Sequence, residues 1–159
     1  MGYQLFEEPS VFYGYVRLKI DSKCIDIVNR FRNVTFGDNG STEEVGALSI
    51  ERADSPIWLP NGEQLARKQC NDTINAIFVV EDTVKFMDGN KEVCVKEFSR
   101  AIVLQAGNCF FGFDKGAWFD EYITVSRGDS IESVIRDCSE DWITDGPIWN
   151  EFSRRVRKL

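Results

Sequence analysis

INAIFVVEDTVKFMDGNKEVCVKEFSRAIVLQAGNCFFGF, residues 74–113, is the stretch that decides the fold. Val, Ile and Phe dominate it, and they come in short apolar or alternating runs: Ile74–Glu81, Thr83–Met87, Lys91–Phe98, Ala101–Gln105 and Cys109–Phe113. Each run has the length and composition of a strand. Asp88-Gly89 reads as a hairpin turn between two of them, because a two-residue hairpin loop needs a positive φ, which glycine adopts without steric penalty. Gly107-Asn108 reads as a second turn. Successive strands joined by tight turns predict an antiparallel meander, and Tyr122–Ser126 extends it.

Toward the N-terminus, Val11–Ile20 alternates apolar and polar residues around Gly14 and predicts a strand. Asp21 and Ser22 then offer a helix cap, and Ile25, Val28 and Phe31 recur at three-residue steps, which predicts a short helix over residues 23–32. Gly37–Thr42 reads as a loop and Val45–Glu51 as a strand. Ala53–Gly62 holds Pro56 and Pro60 and reads as an irregular connection, followed by a short helix over Glu63–Cys70.

Toward the C-terminus, two further helices are expected. Asp129 caps the first, with Glu132 reaching back to it, and Ile131, Val134, Ile135 and Cys138 form its apolar stripe. Pro147 opens the second, whose buried face would carry Ile148, Trp149, Phe152 and Val156. Arg154, Arg155, Arg157 and Lys158 would then complement the negative end of its dipole. The expectation is a single α+β domain over residues 1–159: a mainly antiparallel sheet with helices packed on it, two of them C-terminal.

Composition narrows the chemistry. The chain of 159 residues is 43% hydrophobic, enough for a packed core. Its formal net charge is −7, with 19 basic and 26 acidic residues. Such a molecule is repelled by nucleic-acid phosphates and anionic membranes, so neither is an expected partner, and the favoured charged partner is cationic. Met1–Ser10 has neither the basic start nor the apolar core of a signal peptide, and no apolar run approaches a bilayer span. A cytoplasmic protein is expected. The five cysteines are odd in number and widely spaced, which fits reduced thiols.

The chain has no histidine. That removes Ser-His-Asp and Cys-His catalysis and every histidine-containing zinc site. No phosphate-binding or nucleophile-elbow motif occurs, so no cofactor or metal is expected. Carboxylates are the remaining catalytic candidates. Adjacent pairs such as Glu81-Asp82 point to opposite faces of a strand and make poor dyads.

One segment stands out as a surface. Asp114–Asp145 holds nine acidic residues against Lys115, Arg127 and Arg136, a balance of −6, together with several aromatic rings. Aromatic anchors ringed by charge suit a protein interface, the rings supplying contact area and the charges speeding encounter. The candidate contact residues are Trp118, Phe119, Asp120, Glu121, Asp137, Glu140, Asp141 and Asp145.

An acidic, aromatic-rich chain with a segment such as AWFDEY (117–122) resembles the immunity proteins of bacterial toxin systems, those of contact-dependent growth inhibition in particular. The resemblance implies a non-catalytic inhibitor that neutralises a cationic toxin, such as a nuclease domain. Two other readings stand beside it: a scaffold or interaction module of another kind, including a viral accessory protein, and a carboxylate-based hydrolase.

Overall fold

The structure, a computed structural model, describes residues 2–5, 15–36, 41–53, 66–69, 73–116, 122–137 and 147–159. In these the chain is almost entirely β-strand, so the α+β expectation is corrected to all-β. The strands in chain order are β1 (Gly2–Leu5), β2 (Tyr15–Ile20), β3 (Lys23–Phe36), β4 (Ser41–Arg52), β5 (Ala66–Gln69), β6 (Ile74–Asp88), β7 (Lys91–Ala106), β8 (Cys109–Asp114), β9 (Thr124–Gly128) and β10 (Ile148–Lys158). They form two antiparallel sheets of five strands, ordered β4-β3-β2-β1-β5 and β10-β6-β7-β8-β9.

The meander over β6–β9 is the expected one, with longer strands. Ile74–Glu81 and Thr83–Met87 are a single strand, as are Lys91–Phe98 and Ala101–Gln105. The first loop is Gly89-Asn90, closed by Asp88 opposite Lys91, and Gly89 has φ 57°. Gly107 has φ 58° at the start of the second loop. Glycine at the first of two loop residues suits the right-handed twist of the strands that follow.

Three expected helices are strands. Over Lys23–Phe36 the side chains alternate: Ile25 and Ile27 pack on the core, while Asp26 between them takes the bidentate Arg17 guanidinium at 2.7 Å. The three-residue recurrence of Ile25, Val28 and Phe31 was coincidental, and the β-branched content of the segment favours a strand. Asp21-Ser22 is a hairpin loop rather than a helix cap, with Asp21 at φ 53°. Ala66–Gln69 is β5.

The helix expected after Pro147 is β10, paired with β6 along all eleven residues from Ile148–Asp88 to Lys158–Phe78. Trp149 is consequently 45% exposed, not buried, while Phe152 on the other face packs half-buried beside Val84. The helix expected from Asp129 is a single 3-10 turn, Glu132–Val134, ended by extended backbone at Ile135. Its reciprocal cap is made by Ser130 and Ser133, whose hydroxyls each accept the other's backbone N–H at 3.2 Å. Asp129 and Glu132 do not form that cap.

The two sheets share a core. Val16, Leu18 and Ile27 of one sheet meet Ile102, Leu104, Ala106, Phe111 and Phe113 of the other. The 3-10 segment makes a second layer, where Val134 and Ile135 cover Val80, Ala101 and Val103. That segment lies directly on β8 and β9. A Cβ at Gly112 would fall 2.1 Å from the Val134 carbonyl oxygen, and one at Gly128 would fall 2.0 Å from Ser133 Oγ. At Gly112 the obstacle is backbone, so glycine is required for the segment to come this close; at Gly128 it is the Ser133 and Val134 side chains.

Candidate functional site

The charged residues inside this apolar frame are the first candidates for chemistry. Asp82, Arg100, Asp114 and Lys115 are buried. Asp82, in the middle of β6, has a fully buried side chain and accepts both Nε and Nη2 of Arg154 from β10, at 2.7 and 2.9 Å. Arg100 sits at an irregularity in the β6–β7 register, where Val80 faces Ala101 and Glu81 faces Ser99, and its Nε lies 2.8 Å from Asp114 Oδ1. Asp114 Oδ2 accepts the backbone N–H of Arg136 at 2.8 Å, and Arg154 Nη2 donates to the Arg136 carbonyl at 3.3 Å.

Two acids and two guanidiniums therefore join four strands to the 129–137 segment. Burial pushes the Asp114 carboxyl up to about 6, and the Arg100 guanidinium, the Arg136 N–H and Arg154 hold it down against that. Lys115 serves a different joint. Its ammonium donates to the Gly46 carbonyl of β4 and lies 4.9 Å from the centre of the Phe98 ring, so it ties the second sheet to the first. Lys96 does the same through Glu43 at 3.1 Å. These pairings hold elements together and present no free nucleophile or base.

Beside them, between the sheets, opens a cleft of about 500 Å³. Arg32 and Gly46 lie on one wall, Glu81, Glu97 and Arg155 on the other, with Asp82 and Phe98 at its base. Glu81 faces Ser99 and Thr83 faces Glu97, so the two glutamates are diagonal neighbours on one face of the sheet. Glu81 is engaged by Arg157 at 3.5 Å, and Glu97 is exposed. Neither is buried as a carboxyl group acting as general acid near neutral pH must be. The third nearby carboxylate, Asp82, is held bidentately.

Among the described residues no three Cys, Asp or Glu side chains converge to hold a metal ion. Cys24, Cys94 and Cys109 are half-buried free thiols. Arg127 Nη2 lies 3.1 Å from Cys109 Sγ, a cation–sulfur contact. No described helix is long and apolar enough to cross a membrane.

The sequence-based interface residues are placed only in part. Asp137 is exposed at the end of the 129–137 segment. Trp118, Phe119, Asp120, Glu121, Glu140, Asp141 and Asp145 lie outside the described residues. Asp114, counted in the acidic segment, is interior and paired, so it adds nothing to a surface; Asp129 and Glu132 are exposed. Comparison with known proteins adds no relative. No family model, curated protein or solved structure matches the chain.

Asp82 and Arg100 did carry a signal. They are the charged residues at which the apolar runs seemed to break, at Glu81/Thr83 and Phe98/Ala101. A charged residue on the core-facing side of a strand must find a partner, and both do.

Proposed function

We propose that the chain is a non-catalytic cytoplasmic inhibitor that binds and neutralises a cationic protein, in the manner of the immunity proteins it resembles. The observation that carries this reading is where the acid excess resides. Every described ion pair joins one acid to one base, Arg17–Asp26, Arg100–Asp114 and Arg154–Asp82 among them, so internal pairing leaves the net charge of −7 untouched. The described residues hold all 19 basic groups and 15 of the 26 acids, so by sequence the excess falls in the stretches outside them, 117–121 and 138–146 among them; an acid excess attracts a cationic partner and speeds encounter. Asp129, Glu132 and Asp137 are exposed on the segment that leads toward Glu140, Asp141 and Asp145.

The experiment is capture of the partner from the native cell, followed by association kinetics with the purified pair at low and high salt. The expected partner has a basic isoelectric point. Its on-rate falls as salt rises, because screening acts over a Debye length of ~8–10 Å. Asp137→Lys and Glu140→Lys lower the on-rate with little change in the off-rate. An acidic partner, or binding indifferent to salt, rejects the reading.

A further inference from the structure

The cleft between the sheets is lined by charges that do not satisfy one another. Its volume of about 500 Å³ lies inside the range of about 300–1,000 Å³ typical of small-molecule sites. Arg32 of β3 stands on one wall, and Glu97 of β7 and Arg155 of β10 stand on the other, all three exposed. Among the described residues none of the three belongs to an ion pair. The groups that could neutralise them are taken. Glu81 stands opposite Arg155 but takes Arg157 at 3.5 Å, so one carboxylate serves two guanidiniums. Glu51, within the electrostatic reach of Arg32, is held by both Nε and Nη2 of Arg30 at 3.0 and 2.8 Å. Asp82 at the base holds Arg154 in the same way. With these pairs counted as neutral, the cleft retains two cations and one anion.

We propose that this cleft binds a small zwitterionic acid of dipeptide size, with two carboxylates for Arg32 and Arg155 and one ammonium for Glu97. Register sets the spacing. Arg155, Glu81 and Ser99 form one row across β10, β6 and β7, and Ser153, Thr83 and Glu97 form the next row on the same face. Arg155 and Glu97 are therefore two strands and two residues apart, roughly 12 Å between Cα atoms. Both side chains line the cleft, and their reach leaves between them the span of a dipeptide rather than that of a lone α-amino acid. Arg32 comes from the opposite wall, so the second carboxylate must branch from the ligand's chain, as an acidic side chain does. Thr83 and Ser99 add hydroxyls between these charges, able to donate or accept.

The charge count separates this ligand from simpler ones. Guanidinium takes carboxylate through two parallel N–H···O bonds, so two arginines select carboxylates over neutral groups. A phosphate or a dicarboxylate without an ammonium would satisfy the arginines and face Glu97 uncompensated. A simple cation would satisfy Glu97 and face two guanidiniums. A zwitterion with one net negative charge meets all three. The backbones that carry Arg155 and Glu97 are paired in one sheet, so two of the three groups are anchored before the ligand arrives. This site and the proposed contact with a cationic protein do not depend on each other.

The test is isothermal titration calorimetry of the full chain with the dipeptide Ala-Glu. Saturable one-to-one binding is expected. Ala-Gln, which lacks the side-chain carboxylate, and N-acetyl-Ala-Glu, which lacks the ammonium, are each expected to bind roughly tenfold or more weakly. Glu97→Gln is expected to weaken Ala-Glu by a similar factor and to leave N-acetyl-Ala-Glu no weaker than before. Arg32→Gln and Arg155→Gln are each expected to weaken Ala-Glu roughly tenfold. Far-ultraviolet circular dichroism checks that each variant is folded. A wild type that shows no saturable binding of Ala-Glu overturns the proposal. So does N-acetyl-Ala-Glu binding as tightly as Ala-Glu, or an affinity that none of the three substitutions changes.

Discussion

Asp82 has a fully buried side chain, and a carboxylate in that position is tolerable only while Arg154 stays on it. Arg154→Ala is expected to cost about 3–5 kcal/mol, measured by urea unfolding, because it strands an ion inside the protein. A loss near zero would mean that water reaches Asp82. Asp114 makes a different prediction. Its carboxyl is raised from 3.8 to about 6, so the folded state holds this proton more tightly than the unfolded chain. The stabilising contribution is complete below the unfolded value and is lost as pH rises through the folded one. Asp114→Asn stays neutral throughout. Between about pH 4 and about pH 7, the stability of the wild type relative to this variant is expected to fall by on the order of 2–3 kcal/mol. Parallel pH profiles for the two proteins would contradict the raised carboxyl.

At the scale of elements, β10 separates a strand from a helix experimentally. Phe152 is half-buried beside Val84, whereas Trp149 is exposed and donates its indole N–H to the Gly89 carbonyl at 3.1 Å. In dilute solution Phe152→Ala is expected to cost about 2–3 kcal/mol and Trp149→Ala about 1 kcal/mol. Equal large losses would be the signature of the helix, with both rings on its buried face. The same strand shows what a sequence can and cannot reveal. The meander was legible because glycine at 89 and 107 punctuates it and its apolar runs are too short for helices. Residues 23–36 and 148–158 were not, because aromatic and β-branched residues spaced three or four apart satisfy a helical stripe as readily as a strand. Pairing partners decided between the two, and those lie far away: β10 pairs with residues 60 to 80 positions earlier. For the candidate site, sequence could not tell Asp114, which is interior, from Asp137, which is outside.

At the scale of the molecule, the shared core predicts that the sheets unfold together. Leu104 is buried where β7 meets Val16, Leu18 and Ile27 of the other sheet. Leu104→Ala is expected to cost about 2–5 kcal/mol and to speed hydrogen exchange equally in β3 and β7. Acceleration confined to β7 would show two separately stable layers.

The long return of β10 also governs how the chain reaches this state. β6, β7 and β8 fold back on each other through two-residue loops, so their contacts close quickly and at small entropic cost. β10 joins only after a loop of about sixty residues closes, and contacts of such separation form late. Until then Asp82 has no Arg154, and the outer edge of β6 is bare. The contact that neutralises the buried carboxylate is therefore expected to form late, and pulse-labelled refolding is expected to protect amides of β7 before those of β10.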